Sequence, residues 1–435
     1  MFKRTLLVGL FIVLTFVPAA GQDNTPQLLL IATHDFDALE TTISALDIDT
    51  GSLEALFTVD TYFAEFSLSP TGDKLAYFTM MPARVALSEY LYNPSEVTFY
   101  VRDVFGEESK AVATNAYLVG NSSGKSAIAP SWSPDGTHVV VVNQNESTGE
   151  PQFTFIDATT DAVTHVTPAQ PSPFLYPPLW SSDGTTLAYF AEWCSRCGLG
   201  NVYTTSTSAV ESPHPVFADT GYPHYELLIG WLPNSRELVV IRNDEGYRYT
   251  TGRLMSVNVD TGEKFEMPEY EASPFRIWQF LDDTVALVTN RDERDNTVLR
   301  AIDLLTGEER FSNVIEDATE PLVVSPDNTH VVIPVHLNDQ ESSLHIFDLI
   351  TGGLVTSIPT EFLPYRITWT PDGSYLVFSE NSQIFTVAVD GSEEVRAVVE
   401  IDGDFLGWAH TNRQAIEDTV NMRYNSLTLW TSAQS

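Results

Sequence analysis

Short apolar segments and turn-forming segments alternate along the whole chain, and this pattern predicts β-hairpins. Runs such as residues 75–78, 139–142 and 376–378 suit strands buried on both faces and are too short for helices. A Ser/Thr-Pro-Asp-Gly turn or a close variant precedes each run. The copies begin at Leu68, Trp132, Trp180, Trp231, Phe280, Val324 and Trp369, with a degenerate eighth at Trp408. Proline presets the first turn dihedral, and Asp and Gly tolerate the next ones, so each copy predicts strand, turn, strand.

The turn recurs roughly every 50 residues, which is the period of a propeller blade. A second hairpin signal, an Asp or Asn followed by Thr-Gly, falls between the copies at residues 47–51, 258–262, 303–307 and 348–352. Two hairpins per period predict a four-stranded antiparallel blade. We therefore predict an all-β fold with a single β-propeller, of eight blades with seven as the alternative. The Trp that begins four copies is predicted to be buried between blades.

The two ends of the chain together predict one closing blade. The N-terminal part offers strands at 27–32, 42–47 and 53–57, and the C-terminal part offers 405–408, with weaker segments at 414–420 and 426–431. These exceed one blade by one or two strands. We expect a blade that mixes both termini, because it ties the ring shut and removes its edges.

The Trp-Ser-Pro-Asp-Gly turn followed by an apolar strand resembles the TolB-type β-propeller repeat, which also occurs in the propellers of prolyl-oligopeptidase-like peptidases. The resemblance covers nearly all of residues 24–431. It implies a propeller that holds proteins or peptides on its faces, but it transfers no catalytic residue. The segment after Trp408 is too short for the α/β-hydrolase domain that those peptidases carry.

The N-terminus predicts export. Lys3 and Arg4 precede an apolar run at residues 6–17, and small residues follow from Ala19. This is typical of a secretory signal peptide at 1–21, with the propeller domain at 22–435. The alternative, a transmembrane anchor, is disfavoured because the run is short for a bilayer. We expect an extracellular or periplasmic protein without membrane insertion after cleavage; its oligomeric state stays open, with a monomer as the default.

The charge of the chain excludes some partners. The sequence has 59 acidic and 22 basic residues and a formal net charge of −37. Such a surface repels nucleic acid and anionic membranes, so we expect neither as a partner. The charge is interpreted first as a solubility device of an exported protein, with attraction of cations or basic peptides as the alternative. The hydrophobic content of 43% is ample for a large core.

The two cysteines, Cys194 and Cys197, stand in a Trp-Cys-x-x-Cys-Gly string. A redox dithiol would need the helix N-terminus of a thioredoxin fold, whereas this string follows a predicted strand. We therefore predict a local disulfide. A zinc site would need a second ligand pair, which is not seen nearby.

Several strings look catalytic but lack their structural context. Residues 120–124 match a nucleophile elbow, which requires a strand before it and a helix after it. The nine histidines are scattered and form no zinc-protease pair. We predict no cofactor; calcium at the turn carboxylates Asp49, Asp260 and Asp390 is the alternative to their satisfying the turn backbone.

The candidate site is the mouth of the central channel. The first strand of each blade lines the channel, so residues just before the Trp position converge from all blades. The candidates are Arg276, Arg366, Glu65, Tyr365, Glu226 and His224. The two arginines occupy the same part of the repeat, and two guanidiniums together would prefer a carboxylate or a peptide C-terminus. The alternative is that these are unrelated solvated loop residues.

Two functional classes follow. The first is a secreted, non-catalytic binding propeller that holds a protein, a peptide or a small polar ligand at the channel mouth. The second is a propeller hydrolase or lyase that acts on a peptide or carbohydrate. No catalytic residue and no metal ligand are assigned from the sequence.

Overall fold

The computed structural model describes residues 27–61, 63–80, 97–114, 118–121, 124–168, 174–175, 177–192, 200–206, 213–217, 225–243, 253–267, 276–338 and 341–410. These residues form strands and turns without a helix, and eight four-stranded antiparallel blades are arranged in a ring. The chain is therefore an eight-bladed β-propeller, as the sequence predicted. Within the described ranges, no helix has the length and hydropathy to cross a membrane.

The blades follow one another in chain order. Blade 1 contains β1 (Gln27–Asp35), β2 (Glu40–Leu46) and β3 (Leu53–Asp60). Blade 2 contains β4 (Phe63–Leu68), β5 (Lys74–Met80), β6 (Val97–Asp103) and β7 (Lys110–Thr114), and a hairpin of β8 (Leu118–Asn121) and β9 (Gly124–Ala127) follows it. Blade 3 contains β10 (Ser131–Trp132), β11 (His138–Gln144), β12 (Pro151–Asp157) and β13 (Val163–Val166). Blade 4 contains β14 (Phe174–Leu175), β15 (Leu179–Trp180), β16 (Thr186–Glu192), β17 (Gly200–Ser206) and β18 (His214–Pro215).

The second half of the ring is built in the same way. Blade 5 contains β19 (Tyr225–Trp231), β20 (Glu237–Asn243), β21 (Arg253–Asn258) and β22 (Lys264–Glu266). Blade 6 contains β23 (Arg276–Phe280), β24 (Val285–Arg291), β25 (Thr297–Asp303) and β26 (Glu309–Ile315). Blade 7 contains β27 (Val323–Val324), β28 (His330–Asn338), β29 (Glu341–Asp348) and β30 (Leu354–Thr360). Blade 8 contains β31 (Arg366–Trp369), β32 (Tyr375–Glu380), β33 (Gln383–Ala388) and β34 (Arg396–Glu400).

The last described strand, β35 (Asp404–His410), completes blade 1 from the other end of the chain. It pairs antiparallel with β1, so that the sheet order is β3-β2-β1-β35. The C-terminal strand is thus the inner strand of blade 1, and the N-terminal strands are the outer three. The weaker segments predicted at 414–420 and 426–431 lie outside the described residues, as does the predicted signal peptide.

The Ser-Pro-Asp-Gly turn holds itself together with side-chain hydrogen bonds. In blade 3, the Ser133 hydroxyl donates to Asp135 Oδ1 at 2.6 Å and accepts the His138 amide at 2.9 Å. The Thr137 amide also donates to Asp135 Oδ1, at 3.0 Å. Gly136 has φ of +69°, in the left-handed region that glycine adopts without steric cost. The turn sequence therefore recurs because each residue has a local role.

The Trp residues connect neighbouring blades, as predicted. Trp132, Trp180, Trp231 and Trp369 are all buried. Each indole N–H donates to a backbone carbonyl of the preceding inner strand; Trp369 Nε1, for example, donates to Val323 O at 3.0 Å. A buried indole needs such a partner, so this position combines apolar packing with one hydrogen bond between blades.

Antiparallel pairing divides the connections between two faces of the ring. The turns that join first to second strands and third to fourth strands share one face, which we call the turn face. In blade 3 these two turns are hydrogen-bonded to each other, since the Ala158 amide donates to Thr137 O. The other face, the loop face, carries the connections between blades and between second and third strands. Connections 36–39, 361–365 and 401–403 lie there. The loop face is less regular, so it offers individual side chains to a ligand.

Candidate functional site

Four charged residues begin or nearly begin inner strands at the same step of the ladder. Glu65 pairs with Phe78, Arg276 with Thr289, Arg366 with Ser379, and Asp404 with Ala32. Each pair is the third step beyond the equivalent of Trp369–Leu376, counted along the second strand of the blade. Equivalent register in blades 1, 2, 6 and 8 places the four backbone positions on one ring at the loop face.

Arg366 lies at the centre of an ion-pair network. Its Nε donates to Asp404 Oδ1 at 2.7 Å, and its NH1 group donates to Asp402 Oδ1 at 2.9 Å. The NH2 group also lies 2.7 Å from Asp404 Oδ1. Asp404 opens the inner strand of blade 1, and Asp402 lies in the connection before it. The guanidinium therefore joins blade 8 to blade 1 across the ring closure.

Tyr365 and His34 extend this network on two sides. The Tyr365 hydroxyl donates to Asp402 Oδ1 at 3.0 Å, and the Arg366 guanidinium lies 4.4 Å from the centre of the Tyr365 ring. His34 Nε2 lies 3.3 Å from Asp404 Oδ2, and its Nδ1 lies 2.9 Å from the Thr41 hydroxyl. Two neighbouring strands of blade 1 thus hold the imidazole against the first residue of the inner strand.

The charges in the network stabilise one another. The hydrogen bond from His34, followed by the bond and charge of Arg366, lowers the pKa of the Asp404 carboxyl although burial opposes this. Burial disfavours the charged form of Arg366, but the hydrogen bond and charge of Asp404 outweigh it and raise the pKa of the guanidinium. Both groups are therefore ionised at neutral pH, and the geometry is preorganised.

Exposed aromatic side chains border the network. Phe36 is 67% exposed and its ring stacks on His34 at a centroid distance of 6.0 Å. Phe362 and Tyr365, 54% and 45% exposed, belong to the same blade connection. We call the group of His34, Phe36, Phe362, Tyr365, Arg366, Asp402 and Asp404 the channel-mouth site. Exposed aromatic rings beside paired polar groups are typical of binding surfaces.

The structure corrects the expectation of a free guanidinium at Arg366. Both aspartates already occupy it, so it is not available as a ready anion-binding group. For Arg276 the structure describes the strand position only. The buried Ser379, cross-strand from Arg366, has a hydroxyl with no hydrogen-bond partner in the described part of the chain.

Glu226, another predicted ligand residue, lies between blades 4 and 5. Glu226 is 2% exposed, and its Oε2 accepts a hydrogen bond from the Val202 amide at 2.8 Å. The last strand of blade 4, β18, has only two residues. The Glu226 carboxylate, which belongs to blade 5, therefore accepts a hydrogen bond from an amide of β17, the third strand of blade 4. This contact is structural, and a ligand-binding role for Glu226 stays a prediction.

Glu65 also has a distinctive environment. It lies in the inner strand of blade 2, next to the inner strand that begins with Asp404, and burial raises the pKa of its carboxyl. Its place on the ring keeps it a candidate. His224, Cys194 and Cys197 lie outside the described residues, so the ligand role of the first and the disulfide of the other two stay predictions.

Sequence reasoning missed His34, Phe36, Phe362 and Asp402. His34 and Asp404 are 370 positions apart in the chain and meet only because the termini share a blade. A polar residue near the end of a predicted strand was the available signal, and it does not identify a partner that is distant in the chain. No three His, Cys, Asp or Glu groups come together as a metal site within the described ranges.

Comparisons with known proteins agree with the fold. No protein-family model matches the chain, and no curated protein matches it in sequence. The dihydro-heme d1 dehydrogenase NirN, solved in complex with DHE, is 16% identical with a TM-score of 0.55, over 91% of this chain and 78% of that one. A eukaryotic initiation factor is 13% identical with a TM-score of 0.53, over 91% and 92%.

A TolB structure from Acinetobacter baumannii is also among the similar structures. It is 16% identical with a TM-score of 0.35, and the match covers 77% of this chain and 80% of that one. At identities this low, similarity concerns the fold and not the activity. What this chain shares with its solved relatives is the β-propeller architecture.

Proposed function

We propose that the protein is an exported, non-catalytic binding propeller that holds a protein or peptide, or a small polar ligand, at the channel mouth of its loop face. The observation that carries the proposal is the preorganised Arg366–Asp402–Asp404 network bordered by the exposed rings of Phe36 and Tyr365. Rigid polar groups beside exposed aromatic rings can bind a partner at low entropic cost.

Catalysis at the same site is the second candidate, and one arrangement favours it. Thr41, His34 and Asp404 form a hydroxyl–imidazole–carboxylate chain, which is the order of groups in a nucleophilic triad. However, Thr41 is 1% exposed, so a substrate carbonyl has no access to its hydroxyl. The chain therefore serves better as a support for the surface above it.

Affinity capture from the native secretome tests the binding proposal. We compare the mature wild-type protein with a Phe36→Ala, Tyr365→Ala double variant, which removes two exposed rings of the site. The matched control is a Phe105→Ala, Ile350→Ala double variant, which removes exposed side chains from the turn face. Mass spectrometry should identify a partner that the wild type and the control retain and the site variant loses.

Two outcomes would contradict the proposal. The first is a captured partner that the turn-face control loses and the site variant keeps. The second is turnover of secreted peptides or oligosaccharides by the wild type that His34→Ala abolishes, which would establish the enzyme alternative. The thermal midpoint of each variant is measured so that loss of binding is separated from loss of folding.

A further inference from the structure

We propose that the occupant of the channel-mouth site is a cationic peptide segment, which presents lysine or arginine side chains to Asp402 and to the aromatic rings. This rests on the proposed function and specifies its ligand class. It replaces the anionic ligand that the sequence favoured, because the pairing of Arg366 changes the net charge of the site.

The first argument is the local charge. Arg366 offsets only one of the two aspartates that bind it, so these three groups keep one net negative charge. The Asp402 side chain is 62% exposed, and its Oδ1 accepts both bonds from Tyr365 and Arg366. Its Oδ2 has no donor among the described residues and can accept a charge-assisted hydrogen bond from an incoming ammonium or guanidinium.

The second argument concerns the aromatic rings. A cation is attracted to the face of an aromatic ring, and the Tyr365 ring already has the Arg366 guanidinium over it at 4.4 Å. The more exposed rings of Phe36 and Phe362 have free surface for the same interaction and for the aliphatic stem of a lysine. The rim therefore suits a cation with an apolar stem.

The third argument is the field of the whole molecule. A net charge of −37 attracts cationic segments and repels anionic ones before contact. An anionic ligand would also have to displace Asp402 or Asp404 from Arg366 and leave a carboxylate without its partner. Local and global charge thus favour the same sign of ligand, and the binding should weaken as salt increases.

The test uses two peptides of opposite charge. One is a fluorescein-labelled peptide of alternating glycine and lysine, blocked at both ends, and the other carries glutamate in place of lysine. Fluorescence anisotropy at low salt measures their binding to the mature protein. Asp402→Asn removes the exposed charge but keeps the side-chain shape. Glu308→Gln makes the same charge change at an exposed residue of the turn face and is the matched control.

We expect the lysine peptide to bind and the glutamate peptide not to bind. Asp402→Asn should weaken binding by about tenfold, the loss of one charge-assisted hydrogen bond, and Phe36→Ala by about threefold, the loss of one cation–π contact. Glu308→Gln should leave the affinity within about twofold of the wild type, since its charge is distant and screened.

Preferential binding of the glutamate peptide, or tighter lysine binding by Asp402→Asn, would overturn this inference and leave the proposed function intact. Equal loss of affinity in Asp402→Asn and Glu308→Gln would show that only the overall charge acts, and would also overturn it. The proposed function fails on its own test, when the captured partner does not depend on the channel-mouth site.

Discussion

Replacement of Trp369 by alanine tests how neighbouring blades are held together. The residue is 3% exposed and packs in one apolar cluster with Leu344 of blade 7 and Phe378 of blade 8. Its indole N–H donates to Val323 O of blade 7 at 3.0 Å. The substitution removes the apolar contacts of the indole and its hydrogen bond to Val323 O. Alanine is too small to fill the volume of the indole, so a cavity remains between the two blades.

The cost follows from these contacts. Truncation of a buried aromatic residue to alanine costs about 3–5 kcal/mol, of which the lost hydrogen bond accounts for about 1 kcal/mol. The residues that the structure describes, roughly 320, give an unfolding entropy of about 0.7 kcal/mol/K, so a loss of about 4 kcal/mol lowers the thermal midpoint by about 6 °C. Trp369→Phe keeps a ring, as Phe280 does natively in blade 6, and should cost only about 1–2 kcal/mol.

Differential scanning calorimetry of the wild type and both variants provides the measurement. Far-ultraviolet circular dichroism at 20 °C checks that each variant starts with the native strand content. A midpoint for Trp369→Ala within about 1 °C of the wild type would refute the role given to the indole between blades. Both variants lack the indole N–H and differ only in the ring that Phe retains. Equal losses of stability for Ala and Phe would therefore refute the larger share assigned to packing.

Three further predictions concern acid stability, export and the cysteines. Burial opposes the charged form of the turn carboxyls Asp135, Asp183, Asp327 and Asp372, but hydrogen bonds from turn hydroxyls and amides outweigh it and lower their pKa values. Their stabilisation is complete above the unfolded pKa near 3.8 and is lost as pH falls through the lower folded values, so urea midpoints should fall in that range. Asp372→Asn should cost about 1 kcal/mol at pH 7 and reduce this acid dependence. A urea midpoint equal to that of the wild type, both at pH 7 and below the unfolded pKa, would contradict the role given to the Asp372 carboxylate. N-terminal sequencing of the exported protein should find a start near Gln22, and an intact Met1 in the membrane fraction would refute export. Cys194 and Cys197 should give no thiol titration until reduced, and replacing both with Ser should cost little because the loop they would close is short; loss of folding in that variant would contradict this.

The sequence by itself determined the repeat and the burial of the Trp residues, and it favoured eight blades over seven. These features depend on interactions within a few residues: the Ser133–Asp135 turn and the alternation of short apolar runs specify each hairpin locally. Blade count then follows from the number of copies, and a large apolar residue before each turn has only the neighbouring blade against which to pack.

Only the tertiary structure decided which polar side chains meet. Ring closure brings His34 to Asp404, and the same closure gives Arg366 two aspartate partners, which is the basis for proposing a cationic ligand. The short last strand of blade 4 directs Glu226 to the Val202 amide. The physical reason is that Coulombic and hydrogen-bond partners depend on distances of a few ångströms between blades, which a repeat pattern along the chain does not encode.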